Sequence, residues 1–152
     1  MIDNVPFCGE FKNGTHHLLA RVYFADTDFS GVVYHARYLE FLERGRSEFL
    51  RLSGIHHSEL ANNLYGEKLA WVVRKMDIEY HKSANIDDIL HIETRINKIG
   101  GARIIMEQTI VRNELQLVFA NVEVALINSS GRPRRIPEAF IKNWRTITPK
   151  SS

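Results

Sequence analysis

The spacing of apolar residues changes twice along the chain, and each change marks a different kind of element. Residues 17–24 form a short apolar run whose β-branched and aromatic content suits a strand. Ala25, Asp26, Thr27, Asp28, Phe29, Ser30 and Gly31 then supply the turn formers that end it. Over 35–52 the apolar Tyr38, Phe41, Leu42, Phe49 and Leu52 recur at three- and four-residue spacing. Glu40, Glu43, Arg44, Arg46, Glu48 and Arg51 occupy the remaining positions, which predicts one long amphipathic helix. Ser53 and Gly54 mark its end, because glycine accepts the left-handed backbone with which many helices finish. A second, shorter helix is expected over 58–65.

Beyond that point the period falls to two. Val72, Met76, Ile78 and Tyr80 alternate with polar residues, and Leu90, Ile92, Thr94 and Ile96 alternate with His91, Glu93, Arg95 and Asn97. The pattern repeats over 102–112 and 115–127, with Gly100 and Gly101 as one turn and Asn113 and Glu114 as a tight hairpin link. A sheet with one apolar face must cover it, and the long helix carries the only apolar stripe able to do so. The predicted fold is therefore α+β, a five-stranded antiparallel sheet curved around a central helix. So thin a sheet leaves an exposed edge and a mouth beside the helix, and pairing with a second copy would protect the one and close the other. Residues 1–15 read as a flexible N-terminal extension, 16–146 as one domain and 147–152 as a flexible tail.

Composition narrows the partners. The chain has 152 residues, 44% hydrophobic and 25% charged, which suits one globular core. A formal charge of +2 is too small to suggest nucleic acid as a partner. The single cysteine, Cys8, cannot close an intramolecular disulfide and fits a reducing compartment. No window approaches the roughly 18 apolar residues of a membrane span, and residues 1–15 lack the pattern of a secretory signal. A soluble, cytoplasmic protein with no transmembrane segment is expected.

The segment from Tyr23 to His35 joins the first strand to the helix and carries the candidate chemistry. The first N–H groups of a helix have no internal partner and, with the helix dipole, stabilise an oxyanion. No Ser, Thr, Asp or Asn immediately precedes the helix, so donors around Val33, Tyr34 and His35 are expected to be open to a ligand carbonyl, with Gly31 allowing close passage. The spacing is equally that of ordinary turn chemistry, with either aspartate as a distant cap. Seven histidines are present, but none has zinc-type spacing, and His81 and His91 read as strand-surface residues. Glu43 reads as a surface ion pair with neighbouring arginines.

Longer motifs extend the reading. Val22 through Asp28, Gly31 through Leu39, and Glu43, Arg44, Gly45 and Arg46 resemble the signature of the 4-hydroxybenzoyl-CoA thioesterase-like hotdog family, and within it the Tol-Pal-associated acyl-CoA thioesterases. Val72 through Met76, Glu79 with Tyr80, Asp87 through Leu90 and Arg132 through Pro137 follow in the expected order. The resemblance implies hydrolysis of acyl-CoA to free acid and CoA, with no cofactor and no metal. It makes Asp28 the catalytic carboxylate, as nucleophile or general base, with Asp26 in support and His35 at the helix start that polarises the carbonyl. Tyr34 and Tyr38 would flank the acyl or pantetheine channel beside Gly31. Arg132, Arg134 and Arg135 would meet the phosphates of CoA, which need such partners. The resemblance also implies a homo-oligomer, dimer or tetramer, with acyl carrier protein as a further partner. Its alternative is a non-catalytic acyl-CoA sensor, or a scaffold docking acyl carrier protein and phospholipid-synthesis enzymes.

Overall fold

One helix decides how the sheet is covered. The structure of the protein, a computed structural model, describes residues 7–62 and 65–147. Its strands are β1 (Glu10–Lys12), β2 (Thr15–Arg21), β3 (Leu69–Tyr80), β4 (Ile89–Ile99), β5 (Arg103–Arg112) and β6 (Leu115–Asn128). Its helices are α1 (Arg37–Leu52), α2 (His57–Ala61) and α3 (Glu138–Ile147). The strands form one sheet in the order β1-β2-β4-β5-β6-β3, every neighbouring pair antiparallel. Among the described residues no helix is long and apolar enough to cross a membrane.

The predicted helix forms, starting two residues later than its pattern suggests. It buries Tyr38, Phe41, Leu42, Gly45, Arg46, Phe49 and Leu50 against β2 and β4. Leu90 and Ile92 of β4, Ile104, Met106 and Ile110 of β5 and Val118, Ala120 and Val122 of β6 meet it from the sheet, at alternate positions as a half-buried strand requires. At the crossing, a side chain on Gly45 would lie 2.7 Å from Ile92 Cγ2 and 2.9 Å from Thr94 Oγ1. Glycine therefore stands in mid-helix because the helix touches the sheet there.

Among the described residues the sheet has six strands rather than the expected five. Residues 10–15 turn back as a hairpin instead of a loose head, and Phe11 packs its ring 5.1 Å from that of Phe49 on α1. The remaining head, 1–6, and the tail, 148–152, lie outside the described residues, as do 63–64 of the expected second helix, of which α2 is the described part. The register shifts between Val73 and Lys75, where β3 bulges, so Trp71, Val73 and Met76 stand on the helix side of the sheet, opposite the buried Leu126, Val124 and Val122. Val72 therefore stands on the opposite face from Met76, against the strict alternation expected. The Asn113–Glu114 link is the tight hairpin predicted, with φ of 50° and 66°.

α3 was not foreseen, although Phe140, Ile141 and Trp144 carry helical spacing. Phe140 and Trp144 are buried beside Trp71, and Asn143 Nδ2 and Trp144 Nε1 donate to Ser53 O and Oγ, closing the end of α1. Gly54 follows with φ +89°, the left-handed finish expected there.

A tight crossing has a measurable consequence. Gly45→Val should lower the unfolding free energy by about 1–3 kcal/mol through overpacking against Ile92 and Thr94. Urea unfolding followed by circular dichroism checks this; an unchanged midpoint would mean that the helix does not approach the sheet so closely.

Candidate functional site

The loop between β2 and α1 is folded by its own turn formers. Asp28 N–H donates to Val32 O at 3.0 Å, Gly31 N–H to Asp28 O at 3.0 Å and Tyr34 N–H to Asp26 O at 3.1 Å. Residues 26–28 thus lie alongside 32–34, with Gly31 at the bend. Gly31 has φ +89° and nothing within 4 Å of where a side chain would start, so its backbone conformation rather than crowding calls for glycine. A second loop, 83–88, supports the first. Val33 N–H donates to Ala84 O and Val22 N–H to Asp88 O, each at 2.8 Å.

The two aspartates have separate duties. Asp26 Oδ2 accepts the Tyr23 N–H at 2.8 Å and Oδ1 lies 3.5 Å from Arg37 Nε, which ties the loop to the first turn of α1. Asp28 Oδ1 accepts the Ser30 N–H at 2.8 Å and the Ser30 hydroxyl, while Oδ2 has no partner among the described residues. The Ser30 hydroxyl, and after it the Ser30 N–H, holds the Asp28 carboxyl below the ordinary carboxylate range, so it is charged at neutral pH. Turn chemistry and a free carboxylate oxygen therefore coexist in one residue.

Donors at the head of α1 are fewer than expected. Val33 and Tyr34 N–H are both bonded within the two loops, whereas His35 and Ala36 N–H have no partner among the described residues. The cap position, Ala36, makes no side-chain cap bond, in keeping with the missing cap residue in the sequence. His35 is exposed beside the half-exposed Tyr34, their ring centroids 4.6 Å apart, and its carbonyl accepts the Tyr80 hydroxyl at 3.3 Å. Tyr38 does not face a channel. It is 3% exposed, and its hydroxyl accepts Ala84 N–H at 2.9 Å, which makes it the pin for the 83–88 loop.

From Tyr80 an open groove of about 680 Å³ runs between α1 and β3, lined by Leu39, Glu43, Arg46, Val73 and Met76 among others. Its size is that of a small-molecule site. Glu43 makes no ion pair among the described residues; it accepts the Ser47 hydroxyl at 2.6 Å. Arg46 is largely buried and donates to Gln108 Oε1 at 3.0 Å, and Gln108 in turn donates to Leu42 O and Thr94 Oγ1. Tyr80 and Arg46 are candidate site residues to which no sequence motif assigns a role, since only the β3 register and the helix crossing bring them to the groove.

The basic cluster lies elsewhere in the chain. Arg132, Arg134 and Arg135 follow the end of β6, which pairs with Leu69 at the start of β3, while Tyr80 stands at the other end of that strand. At about 3.3 Å per residue the separation is roughly 35 Å. Arg134 Nε is paired with Glu67 at 2.8 Å; Arg132 and Arg135 are exposed. Cys8 is free, and its burial, with Glu48 beside it, pushes the thiol pKa up, which disfavours a nucleophilic thiolate.

Known proteins resemble the chain over most of its length. The profile of the thioesterase-like superfamily matches residues 22–144. The acyl-CoA thioesterase YbgC of Haemophilus influenzae is 45% identical over 108 residues, 71% of this chain and 77% of that one. The acyl-CoA thioester hydrolase YbgC of Escherichia coli O6:H1 is 40% identical over 127 residues, 82% of this chain and 92% of that one. The crystal structure of a probable thioesterase from Bartonella henselae superposes with a TM-score of 0.79 at 59% identity, covering 81% of this chain and 99% of that one.

The Ser30 bonds to Asp28 give a direct pH test. A depressed carboxyl contributes stability above its ordinary titration point and loses it as pH falls through the lowered one. Ser30→Ala removes the hydroxyl bond and should raise the Asp28 midpoint toward the usual carboxylate value, read from the side-chain carboxyl carbon by NMR. An unmoved midpoint would mean that Ser30 does not set the charge of Asp28.

Proposed function

The chain belongs to the thioesterase-like superfamily, and we propose that it is an acyl-CoA thioesterase whose chemistry rests on Asp28 and the uncapped head of α1. The observation that carries this reading is a charged carboxylate with one oxygen fixed by Ser30 and the other without a partner among the described residues, in the loop that leads into His35 and Ala36 N–H groups equally without one.

In this reading the thioester carbonyl oxygen lies against the His35 or Ala36 N–H. Asp28 then either attacks the carbonyl carbon, giving a mixed anhydride and releasing the CoA thiol before water regenerates the carboxylate, or takes a proton from an attacking water. Both routes place negative charge on the carbonyl oxygen, where the helix dipole and backbone donors stabilise it. The His35 imidazole and Tyr34 flank the thioester, and Gly31 keeps the approach open. The groove from Tyr80 past Leu39 and Met76 toward Arg46 receives the acyl group.

A second copy completes the site. Among the described residues β3 pairs only with β6, so its outer edge presents an unpaired ladder, and Phe24, Phe29 and Tyr34 leave apolar surface exposed around Asp28. Antiparallel addition of a second β3 along that edge carries the start of its strand, and with it Arg132 and Arg135, toward the Asp28 end of the first. Arginines roughly 35 Å away in one chain thereby become neighbours of the carboxylate in a dimer, where they meet the phosphates of CoA. Arg134, held by Glu67, braces their loop. The motif resemblance supports a cytoplasmic homotetramer linked to the Tol-Pal system, with CoA or acyl carrier protein presenting the acyl group.

Thiol release from short, long and aromatic acyl-CoAs tests the assignment. Asp28→Asn keeps an acceptor for Ser30 N–H and so preserves the loop, yet turnover should fall by about 10²–10⁴-fold. Full activity in a folded variant would reduce Asp28 to a turn residue. Acyl-CoA binding without turnover by the wild type would point to a sensor or scaffold.

A further inference from the structure

Register brings together three side chains that the sequence keeps far apart. In the pairing of β2 with β4, His17 stands opposite Glu93 and Leu19 opposite His91. Their neighbours His16, Leu18, Ile92 and Thr94 point into the core, so His17, His91 and Glu93 share the outer face of the sheet, away from α1. His17 Nδ1 lies 2.7 Å from His91 Nε2 and 3.7 Å from Glu93 Oε2, and ligand atoms of all three lie within 4.8 Å of one another. Among the described residues this is the one such group of His, Cys, Asp and Glu.

Glu93 is aimed at the histidines. The Thr109 hydroxyl on β5 donates to its Oε1 at 3.1 Å, leaving Oε2 turned toward His17. No Lys or Arg among the described residues pairs with Glu93, since Arg95, the nearest arginine along β4, is taken by Glu107 at 2.8 and 3.2 Å. The carboxylate is only partly exposed, at 33%, and His17 at 20%. A half-desolvated carboxylate facing two imidazoles, without a fixed countercharge, is a donor set rather than a solvated ion pair.

We propose that His17, His91 and Glu93 bind a divalent transition ion of the zinc class on the outer face of the sheet. Two nitrogens and one carboxylate oxygen match the three protein ligands of an open tetrahedral zinc site, with the fourth position left to solvent. Ligand atoms around zinc stand about 3.3 Å apart, so the histidine nitrogens separate by roughly half an ångström on binding and Glu93 is already close to place. The hydrogen shared between the two rings moves to the far nitrogen of one of them, a tautomer change without change of charge. Thr109 is a positioning residue that orients the Glu93 carboxylate. The ion clasps β2, which leads into the loop that carries Asp28, to β4, which follows the 83–88 loop that supports it.

The test uses tag-free, chelator-stripped full-length protein titrated with Zn²⁺ by calorimetry, with Co²⁺ absorption as the geometric probe. One saturable ion per chain, a tetrahedral Co²⁺ spectrum and a Zn²⁺-dependent rise in melting temperature are expected. Each should be lost in His17→Ala and His91→Ala, and Thr109→Val should weaken binding about 10–100-fold while leaving the metal-free melting temperature near that of the wild type. Glu93→Gln, which alters only charge, guards against misfolding of the histidine variants and should also bind weakly. Absence of one-to-one binding in the wild type would overturn the proposal, as would unchanged binding in His91→Ala, which would place the ion elsewhere, such as at His56 and His57.

Discussion

The contact at Gly45, where α1 crosses the sheet, sets the position of everything else. There the helix backbone comes so near β4 that a side chain on residue 45 would stand 2.7 Å from Ile92. A polar cluster locks the crossing, with Gln108 bonded to Leu42 O, Thr94 and Arg46 in one buried network. Such a network stabilises one register over its neighbours, since sliding the helix would strand three buried polar groups. Arg46 costs the most to bury, and burial lowers its pKa from the usual high range. Its opening onto the groove gives the charge an outlet.

With the helix fixed, its head is fixed too. Asp26 and Arg37 tie the preceding loop to the first turn, and Tyr38 pins the supporting loop from within the core. The carboxylate and the free N–H groups are therefore held by packed elements although both lie at the surface. In the proposed reading this arrangement preorganises an oxyanion site that is open on one side. The exposed edge of β3 and the distant arginines are two features of one chain that the proposed dimer would reconcile.

Much of this was legible in the sequence because period follows element type. The three- and four-residue spacing from Tyr38 to Leu52 gave α1, and alternation from Leu90 to Ile127 gave three of the strands almost to the residue. The strand of Glu10–Lys12 escaped because three residues carry no period, and α3 because its few apolar residues, Phe140, Ile141 and Trp144, make too short a pattern beside Pro133 and Pro137 to announce a helix. Parity in β3 failed at the bulge after Val73, which no local pattern announces. Within the site, Asp28, Gly31 and His35 lie on one contiguous motif and could be read together. The spacing of Tyr38 places it on the apolar stripe of α1, where it lies, but does not tell that its hydroxyl ends on Ala84 rather than beside the channel the resemblance implies. The meetings of Tyr80 with His35 and of His17 with His91 depend on contacts between elements 45 and 74 residues apart.

Where the thioester sits is read from a crystal structure of the Asp28→Asn protein with an intact acyl-CoA. The thioester carbonyl oxygen is expected about 3 Å from the His35 or Ala36 N–H, with the carbonyl carbon facing residue 28. A thioester seated along the groove beside Glu43, with residue 28 out of reach, would contradict it.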